Sequence, residues 1–459
     1  MAKPFKRIAA ALSATVLAIT LASCADTGDD TTDTGGGKVE AGSIDCKPYE
    51  AFGDIKGKEV HVYTSIVDPE DKPHIDSYKP FEDCTGAKIK YEGSKEFEAQ
   101  LLVKVKGGNA PDIAFIPQPG LLQTLVKETG KVVEAPKQTA ENVDKNFEKS
   151  WKEYGSVDGK FYAAPLGANV KSFVWYSPSM FKDKGYEVPK TWDEMMKLTE
   201  KIATEDKDAK AWCAGFGSGD ATGWPGTDWL EDVMLRTAGP DAYDKWIKHE
   251  IPFNDPQVEK AMDQMGKILK DPKYVNGGFG DVKSIATTTF QDGGQPILQK
   301  KCYMHRQASF YAANWPEGTK VAEDGDVFAF YLPGEKADGD KPVLGGGEFV
   351  AAFSDRPEVK AFQTYLSSAD WSNAKAKSTP GGGWVSANKG LDVNNLKSPI
   401  DKLSYETLAD EKAVFRFDGS DLMPGAVGSG TFWKGMTNWI TGQDTKSQLD
   451  MIEKSWPKK

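Results

Sequence analysis

The stretch Pro111-Asp-Ile-Ala-Phe-Ile-Pro-Gln-Pro-Gly120 holds a short apolar run, Ile113–Ile116, that ends in a proline-rich turn. A run of this length and composition is typical of a buried strand. A helix is predicted from Leu121 onward. A buried strand, a turn and a helix in this order are typical of a parallel α/β sheet.

The residues before this stretch show the same alternation of strands and helices. The predicted elements are, in order, strand Lys58–Ser65, helix Pro80–Asp83, strand Lys88–Glu92 and helix Phe97–Val105. Ligands of parallel α/β sheets bind at the carboxyl ends of the strands. We therefore expect Ser65, Gln118 and the turn Gly93–Glu96 to lie near such an edge.

The rest of the chain, which has 459 residues and thirteen Trp, is large enough for more than one core. Extended segments are predicted at Phe161–Tyr176, Val327–Leu332 and Gly345–Phe353. Helices are predicted at Trp192–Ile202, Val258–Leu269, Cys302–Phe310, Pro357–Leu366 and Thr431–Ile440.

The chain begins with a predicted signal peptide over residues 1–23, in which basic residues precede an apolar run from Ile8 to Leu21. The run is shorter than the roughly 20 apolar residues that a membrane-spanning helix needs. The sequence Leu21-Ala-Ser-Cys24 resembles a bacterial lipobox, so we expect cleavage before Cys24 and a lipid on its sulfur. An ordinary signal peptide with a chance cysteine is the alternative. Residues 24–44 are small, polar and acidic, which predicts a flexible tether.

Four further cysteines remain in the mature chain, and an even number outside the cell suggests disulfides. Of the three possible pairings we favour Cys46–Cys84 with Cys213–Cys302, which keeps each bridge within one half of the chain. Free buried thiols are the alternative. No Cys-x-x-Cys occurs and the four histidines are scattered, so neither a metal site nor a cofactor is expected. The formal net charge of −11 argues against a nucleic-acid partner.

The stretch Gly215–Leu235 begins as a glycine-rich loop and ends as a predicted helix, with Thr227 or Asp228 as its N-cap. Trp224 and Trp229 stand beside hydroxyls and carboxylates. An indole can cover the apolar face of a sugar ring while carboxylates accept hydrogen bonds from its hydroxyls. A surface loop with one tryptophan packed into the core is the alternative.

Several motifs together carry a family resemblance: the lipobox, Pro111–Gly120, Ala163–Gly167, Thr222–Asp232, Met304–Ser309 and Arg416–Gly430. In these motifs the chain resembles the carbohydrate type of extracellular solute-binding proteins that serve ABC importers, and within that type the α-glucoside-binding branch. The resemblance implies the α/β periplasmic-binding-protein fold, with two lobes, hinge crossovers and a ligand cleft between the lobes. It also implies a sugar ligand, a permease partner, a monomer without enzymatic activity, and a lipid-anchored place at the extracellular face of the cell membrane.

The resemblance further divides the chain between the lobes. The first lobe would comprise residues 45–164 and 343–378, and the second lobe would comprise residues 165–342 and 379–459. The chain would cross between them near residues 163–170, 342–347 and 378–383, where glycine and proline can absorb backbone rotation.

Twelve ligand contacts follow from motif position: Ser65, Glu96 and Gln118 in the first lobe, Asn169 and Lys171 at the hinge, and Trp224, Asp228, Gln307, Trp384, Arg416, Asp421 and Trp433 in the second lobe. Asn and Gln suit neutral hydroxyl ligands because each offers a donor and an acceptor. Ile116 replaces an aromatic residue common in sugar binders, which moves the expected stacking to the second lobe. The alternatives are a structural ion pair for Arg416 and core packing for Trp384 and Trp433.

Two other functions compete with sugar binding. One is a secreted glycoside hydrolase that uses two carboxylates, because acidic residues are plentiful. Neither Gly-x-Ser-x-Gly nor His-Glu-x-x-His is present to support catalysis. The other is a lipoprotein that binds peptides, metals or anions.

Overall fold

The structure is a computed structural model that describes residues 43–278 and 280–458. The predicted signal peptide, the lipidation site Cys24 and nearly all of the predicted tether lie outside the described residues.

The strands are short and mostly buried. They are β1 Glu59–Thr64, β2 Lys88–Gly93, β3 Ile113–Ile116, β4 Ser156–Val157, β5 Lys160–Phe161, β6 Ala163–Pro165, β7 Asn169–Val170, β8 Phe173–Tyr176, β9 Lys210–Cys213, β10 Val275–Asn276, β11 Cys302–Arg306, β12 Phe328–Tyr331, β13 Lys341–Gly346, β14 Phe349–Ala352 and β15 Ala413–Phe417.

The helices lie between these strands and at the end of the chain. They are α1 Lys47–Glu50, α2 Asp71–Asp76, α3 Lys79–Thr85, α4 Phe97–Lys106, α5 Pro119–Thr129, α6 Lys137–Asn146, α7 Lys149–Tyr154, α8 Pro178–Lys184, α9 Trp192–Glu205, α10 Trp224–Thr237, α11 Pro240–Ile247, α12 Pro256–Leu269, α13 Pro357–Leu366, α14 Ala369–Lys377, α15 Pro399–Ala409, α16 Gly419–Leu422, α17 Trp433–Ile440 and α18 Thr445–Glu453.

Two five-stranded sheets form the centres of the two lobes. The first has the order β2-β1-β3-β14-β6, with β1 parallel to β2 and β3, while β14 runs antiparallel to β3 and β6. The second has the order β10-β9-β11-β8-β12. The stretch Pro111–Gly120 forms β3 and the start of α5 as predicted, and all four residues of β3 are buried.

A third sheet of three strands, β15-β13-β7, connects the lobes. In it Gly345 pairs with Val170 on one side and with Phe417 on the other. Because β7 and β13 each continue directly into a lobe sheet through β6, β8 and β14, this small sheet lies where the lobes hinge. We call it the hinge sheet.

Each lobe has its own apolar core. The first-lobe core contains Phe81, Leu101, Phe115 and Phe362, and the second-lobe core contains Trp212, Val233, Met265 and Trp439, all at most 1% exposed. The first-lobe core also takes in Trp384, Val385, Leu391 and Leu396, although the sequence places residues from 379 onward in the second lobe. Trp384 packs edge-on against Trp371 with ring centroids 5.6 Å apart, which keeps this segment on the first lobe.

Both favoured disulfides are present. Cys46–Cys84 fastens the beginning of the described chain to the end of α3, with Cα atoms 5.5 Å apart. Cys213–Cys302 joins β9 to β11, with Cα atoms 5.8 Å apart. The predicted pairing is therefore confirmed.

One predicted element is wrong. Cys302–Phe310 is not a helix, because residues 302–306 form β11 in the middle of the second sheet, followed by a 3-10 turn over Ser309–Asn314. All five residues of β11 are buried, so the apolar and polar positions carry no alternation that would distinguish a strand from a helix.

Among the described residues, no helix combines the length and the apolar character needed to cross a bilayer. The same part of the chain contains no cluster of three or more His, Cys, Asp or Glu residues that could hold a metal ion.

Candidate ligand-binding site

A cleft with a cavity of about 210 Å³ lies between the lobes, next to the hinge sheet. Its walls come from the carboxyl ends of β1, β2 and β3, from the loop before α10, and from the segments that follow β7, β13 and β15. Eight of the twelve predicted contacts line it: Ser65, Gln118, Asn169, Lys171, Trp224, Trp384, Asp421 and Trp433.

Aromatic rings cover the second-lobe side of the cleft. This ring wall consists of Trp224, Phe290, Phe310 and Trp433. The ring centroid of Trp224 lies 5.1 Å from that of Phe290 and 6.0 Å from that of Phe310. Phe290 and Phe310 carry no signal in the sequence that distinguishes them from core residues, so sequence reasoning missed them.

The start of α10 explains why Trp224 faces the cleft. Gly223 is the N-cap and has a φ of 116°, so α10 begins at Trp224 and not near Asp228 as the predicted N-cap implies. A side chain at Gly223 would meet the Trp433 carbonyl oxygen at 2.2 Å, so the close approach of the two segments requires glycine. The backbone segments that carry Trp224 and Trp433 are thereby held close together.

Beneath the ring wall lies a chain of buried ion pairs, the floor network: Lys171, Asp228, Asp232, Arg236, Arg306 and Asp418. The Lys171 ammonium is 3.0 Å from Asp228 and also pairs with Asp418. Arg306 donates to Asp228 at 3.3 Å and to Asp232 at 2.6 Å. Arg236 donates to the second oxygen of Asp232 at 2.6 Å.

Asp228 therefore does not reach the cleft as the sequence predicts. It is 0% exposed and lies in the second turn of α10. One of its carboxylate oxygens accepts from Lys171 and the other accepts from Arg306. Removal of a carboxylate that is buried and paired in this way is destabilising, because Lys171 and Arg306 would each lose one of their two buried counter-charges.

Three other predicted contacts also lie away from the cavity. Arg416 donates to Asp244 at 2.7 Å, which is the structural ion pair considered as its alternative. Gln307 is fully buried, and its side-chain oxygen accepts from the Ala308 amide at 2.8 Å. Glu96 is exposed at the start of α4, and its neighbours Lys95 and Glu98 line the cleft instead.

The charges of the floor network are strongly coupled. Burial opposes ionisation of Asp418, yet Lys171 holds the pKa of this carboxyl at about 2. Burial likewise opposes the charge on Lys171, but Asp228 and Asp418 raise its pKa well above the usual value. Burial and the nearby Asp418 carboxylate raise the pKa of Asp421, which lines the cleft. Lys171 is thus a permanent cation whose charge is already neutralised.

The first-lobe side of the cleft carries a polar group of residues that sequence reasoning missed: Glu70, His74, Glu348 and Lys375. Burial raises the pKa of Glu70 to about 7 and lowers that of Lys375 to about 7. Burial and the positive charge of Lys375 lower the pKa of His74 well below its usual value, so its imidazole is neutral. Glu348, a charge within an otherwise apolar segment, is the one member that the sequence could have revealed.

Several buried polar atoms at the cleft have no hydrogen-bond partner among the described residues: His74 Nδ1, Gln118 Oε1, Asn169 Oδ1, Trp384 Nε1 and Trp433 Nε1. Buried polar groups are normally hydrogen-bonded, and an unpaired one costs free energy. Both acceptors and donors occur in this set, so a ligand with hydrogen-bond donors and acceptors would complement the cleft.

Comparison with known proteins identifies the family. The profile described as bacterial extracellular solute-binding protein matches residues 66–373. The osmoprotective compounds-binding protein GgtB of Synechocystis sp. is 39% identical over 416 residues, which cover 90% of this chain and 96% of GgtB. The alpha-glucosides-binding periplasmic protein AglE of Rhizobium meliloti is 37% identical over 414 residues, 88% of either chain.

Solved structures agree on the fold. The bacterial solute receptor AcbH, described with a preference for β-D-galactopyranose, superposes with a TM-score of 0.71 at 20% identity, over 87% of this chain and 97% of AcbH. The GacH receptor of Streptomyces glaucescens GLA.O, solved unliganded and with acarbose, gives a TM-score of 0.67 at 15% identity, over 87% and 97%. The two-lobed fold predicted from the sequence is therefore confirmed.

The relatives are binding proteins and not enzymes, so the alternative of a glycoside hydrolase is wrong. The chain has two lobes, a hinge sheet and a cleft at the carboxyl ends of strands β1, β2 and β3 of the first sheet. It belongs to the family of bacterial extracellular solute-binding proteins.

Proposed function

We propose that the chain is the lipid-anchored sugar-binding component of an ABC importer. It binds an α-glucoside or a related oligosaccharide in the interlobe cleft and delivers it, as a monomer, to the permease at the extracellular face of the membrane. The similarity to AglE, whose name refers to alpha-glucosides, supports the sugar class.

The observation that carries the proposal is the pairing of ring faces with unpartnered polar atoms in one cleft. Trp224 and Trp433 offer apolar surface to the C–H face of a pyranose. Gln118 Oε1 and Asn169 Oδ1 are buried acceptors without a partner in the described structure, and they suit sugar hydroxyls. A sugar matches both features, because each ring has an apolar face and a rim of hydroxyls.

The charges at the cleft favour a neutral ligand. Lys171, the cation beside Trp224 at 5.4 Å from its ring centroid, already pairs with two carboxylates. Burial raises the pKa values of Glu98 and Glu348, which favours their neutral forms. A neutral carboxylic acid can donate a hydrogen bond to a sugar hydroxyl and can also accept one from it.

A thermal-shift screen tests the ligand class. Maltose, trehalose, sucrose and raffinose would be compared with glycine betaine and proline, two osmoprotective solutes without a sugar ring, because GgtB is named for osmoprotective compounds. A ligand that binds only the folded state raises the melting temperature. We expect a shift with an α-linked disaccharide and none with the two amino-acid derivatives; the reverse pattern would contradict the proposal.

The lipid anchor needs its own test because Cys24 lies outside the described residues. Replacing Cys24 with Ala should release the protein into the medium or leave the precursor uncleaved. Unchanged processing and unchanged partitioning into detergent would contradict the anchor while leaving the ligand class untouched.

A further inference from the structure

At two of the contacts between the lobes, one of the two residues is a glycine. The first such contact lies between Gly120 in α5 of the first lobe and Met423 after α16 of the second lobe, where a Cβ on Gly120 would stand 2.0 Å from the Met423 carbonyl oxygen. The second lies between Gly219 and the Lys95 carbonyl oxygen, at 2.8 Å from a Cβ built on Gly219. Real Cβ atoms do not approach a backbone oxygen this closely, so neither position has room for a side chain in this arrangement of the lobes.

We propose that Gly120 sets how far the lobes close, and that a single methyl group there holds the cleft partly open. Gly120 is thus a positioning residue for solute binding and contacts no ligand itself. The proposal rests on the solute-binding function of the family and not on the ligand being a sugar.

Neither side of this contact can move aside within its own lobe. On the first-lobe side, the residues after Gly120 anchor α5, since Leu122 and Leu125 are 0% exposed in the core. On the second-lobe side, Glu231 accepts from the Gly419 amide at 2.8 Å and from the Ser420 amide at 3.0 Å. The obstructing atom is a backbone oxygen, which cannot rotate away as a side chain can. A methyl group at residue 120 therefore has to be accommodated by rotation of one lobe against the other.

Gly120 is a clean position for this test because alanine suits its local conformation. It is the second residue of α5, and its φ is not in the left-handed region. Alanine is the best helix former, so Gly120→Ala should leave the folding of the first lobe unharmed. Gly219 is less suitable because its φ of 58° disfavours any side chain.

A reporter of closure is available at a third point between the lobes. The Asn314 amide nitrogen of the second lobe donates to Glu70 Oε1 of the first lobe at 2.9 Å. With Glu70→Cys, Asn314→Cys and Cys24→Ser combined, the new pair provides the free thiols beside the two disulfide-bonded pairs. The rate at which dibromobimane, a short bifunctional thiol reagent, joins the two thiols then measures the closed population without any ligand.

In this background Gly120→Ala should lower the cross-linking rate about tenfold, as expected when the closed state loses population. The matched control is Gly339→Ala, at a surface position where a Cβ meets its nearest atom at an ordinary 3.6 Å. An unchanged rate for Gly120→Ala overturns the proposal. So does an equal fall for Gly339→Ala, or a lower urea midpoint for Gly120→Ala, because either would show a general effect on folding.

A ligand measurement separates this inference from the proposed sugar function. Gly120→Ala should raise the dissociation constant of the saccharide that gives the largest thermal shift. Residue 120 does not line the cavity, so the substitution leaves every lining residue in place. If none of maltose, trehalose, sucrose and raffinose binds the wild type, the sugar proposal fails, and the cross-linking rates still decide the role of Gly120.

Discussion

In the floor network Lys171 and Arg306 both pair with Asp228, whereas Gln118 and Trp433 on the walls each keep a buried atom that has no hydrogen-bond partner among the described residues. Both sets are polar and buried, but of these five residues only Lys171, Gln118 and Trp433 line the cleft. The difference shows that the charges near the cleft can be fully paired within the protein while neutral groups on its walls are not. We therefore expect the paired charges to support the walls and the unpartnered neutral groups to contact the ligand.

Removing one charge from the floor network should produce the largest effect. Arg306→Met should lower the free energy of unfolding by about 3–5 kcal/mol, because it leaves Asp232 and Asp228 buried without their shared cation. Urea unfolding of the ligand-free protein measures this loss.

Arg416→Met is the matched control for Arg306. Its guanidinium pairs with Asp244 at 2.7 Å, but the two side chains are 28% and 35% exposed. Such a pair contributes at most about 1 kcal/mol. Equal losses in the two variants would contradict the distinction between the buried network and the outer pair.

On the ring wall, Trp224→Ala should weaken ligand binding by about 1.5–3 kcal/mol, the scale of a large apolar side chain losing its buried contact with the ligand. Calorimetry with the saccharide selected by thermal shift measures the change. Trp456→Ala serves as the control, since this tryptophan stacks on His249 at 4.2 Å and lies outside the cleft lining. Equal affinities of the Trp224 variant and the wild type would place the ligand elsewhere.

The polar group of the first lobe should make stability depend on pH. Burial raises the pKa of Glu70 from 4.5 to about 7, although the hydrogen bond from Asn314 acts to lower it. Of the neighbouring charges, Glu348 and Asp71 raise this pKa and Lys375 lowers it. A carboxyl with a raised pKa stabilises the fold below pH 4.5, and this stabilisation is lost as the pH rises through 7.

The wild type should therefore lose about 1–2 kcal/mol relative to Glu70→Gln between pH 4.5 and pH 7.5, a value reduced because Glu70 is partly exposed to solvent. Chemical unfolding of both proteins over this range provides the comparison. Parallel pH profiles would show that Glu70 titrates normally.

The sequence predicts the scaffold of the cleft better than its chemistry. Strand β3 and the start of α5 follow from a local apolar run and a proline turn, and so Gln118 is correctly expected at the sheet edge. Asp228 and Trp224 stand four residues apart on one helix, yet one belongs to the floor and the other to the wall.

That difference depends on partners which lie far away along the chain. Lys171 is 57 residues from Asp228, and Arg306 is 78 residues from it. Lys375 and Phe290 were missed for the same reason, because a lysine on an ordinary helix and a phenylalanine in a loop acquire their roles only when the lobes meet. Pairing between distant segments is therefore what local sequence patterns could not supply.

The smallest expected effect is at Gln118 on the wall, where a substitution should lower ligand affinity without lowering the stability of the ligand-free protein. Gln118 is 4% exposed, its Nε2 donates to Glu98 at 3.3 Å, and its Oε1 has no partner in the described structure. Gln118→Met removes that unpaired acceptor at similar size. Ligand affinity should fall by about 1 kcal/mol, the net value of one hydrogen bond.

Ligand-free stability of Gln118→Met should meanwhile stay close to that of the wild type, because removal of the costly unpartnered acceptor offsets loss of the 3.3 Å hydrogen bond to Glu98. Gln448→Met is the control with the opposite result: this glutamine is 6% exposed, outside the cleft, and bonded to Asn438 at 3.1 Å. It should lose stability and keep its affinity. If Gln118→Met instead loses stability and binds the saccharide as well as the wild type does, its oxygen serves the fold, and the contrast between free walls and a paired floor no longer holds at this residue.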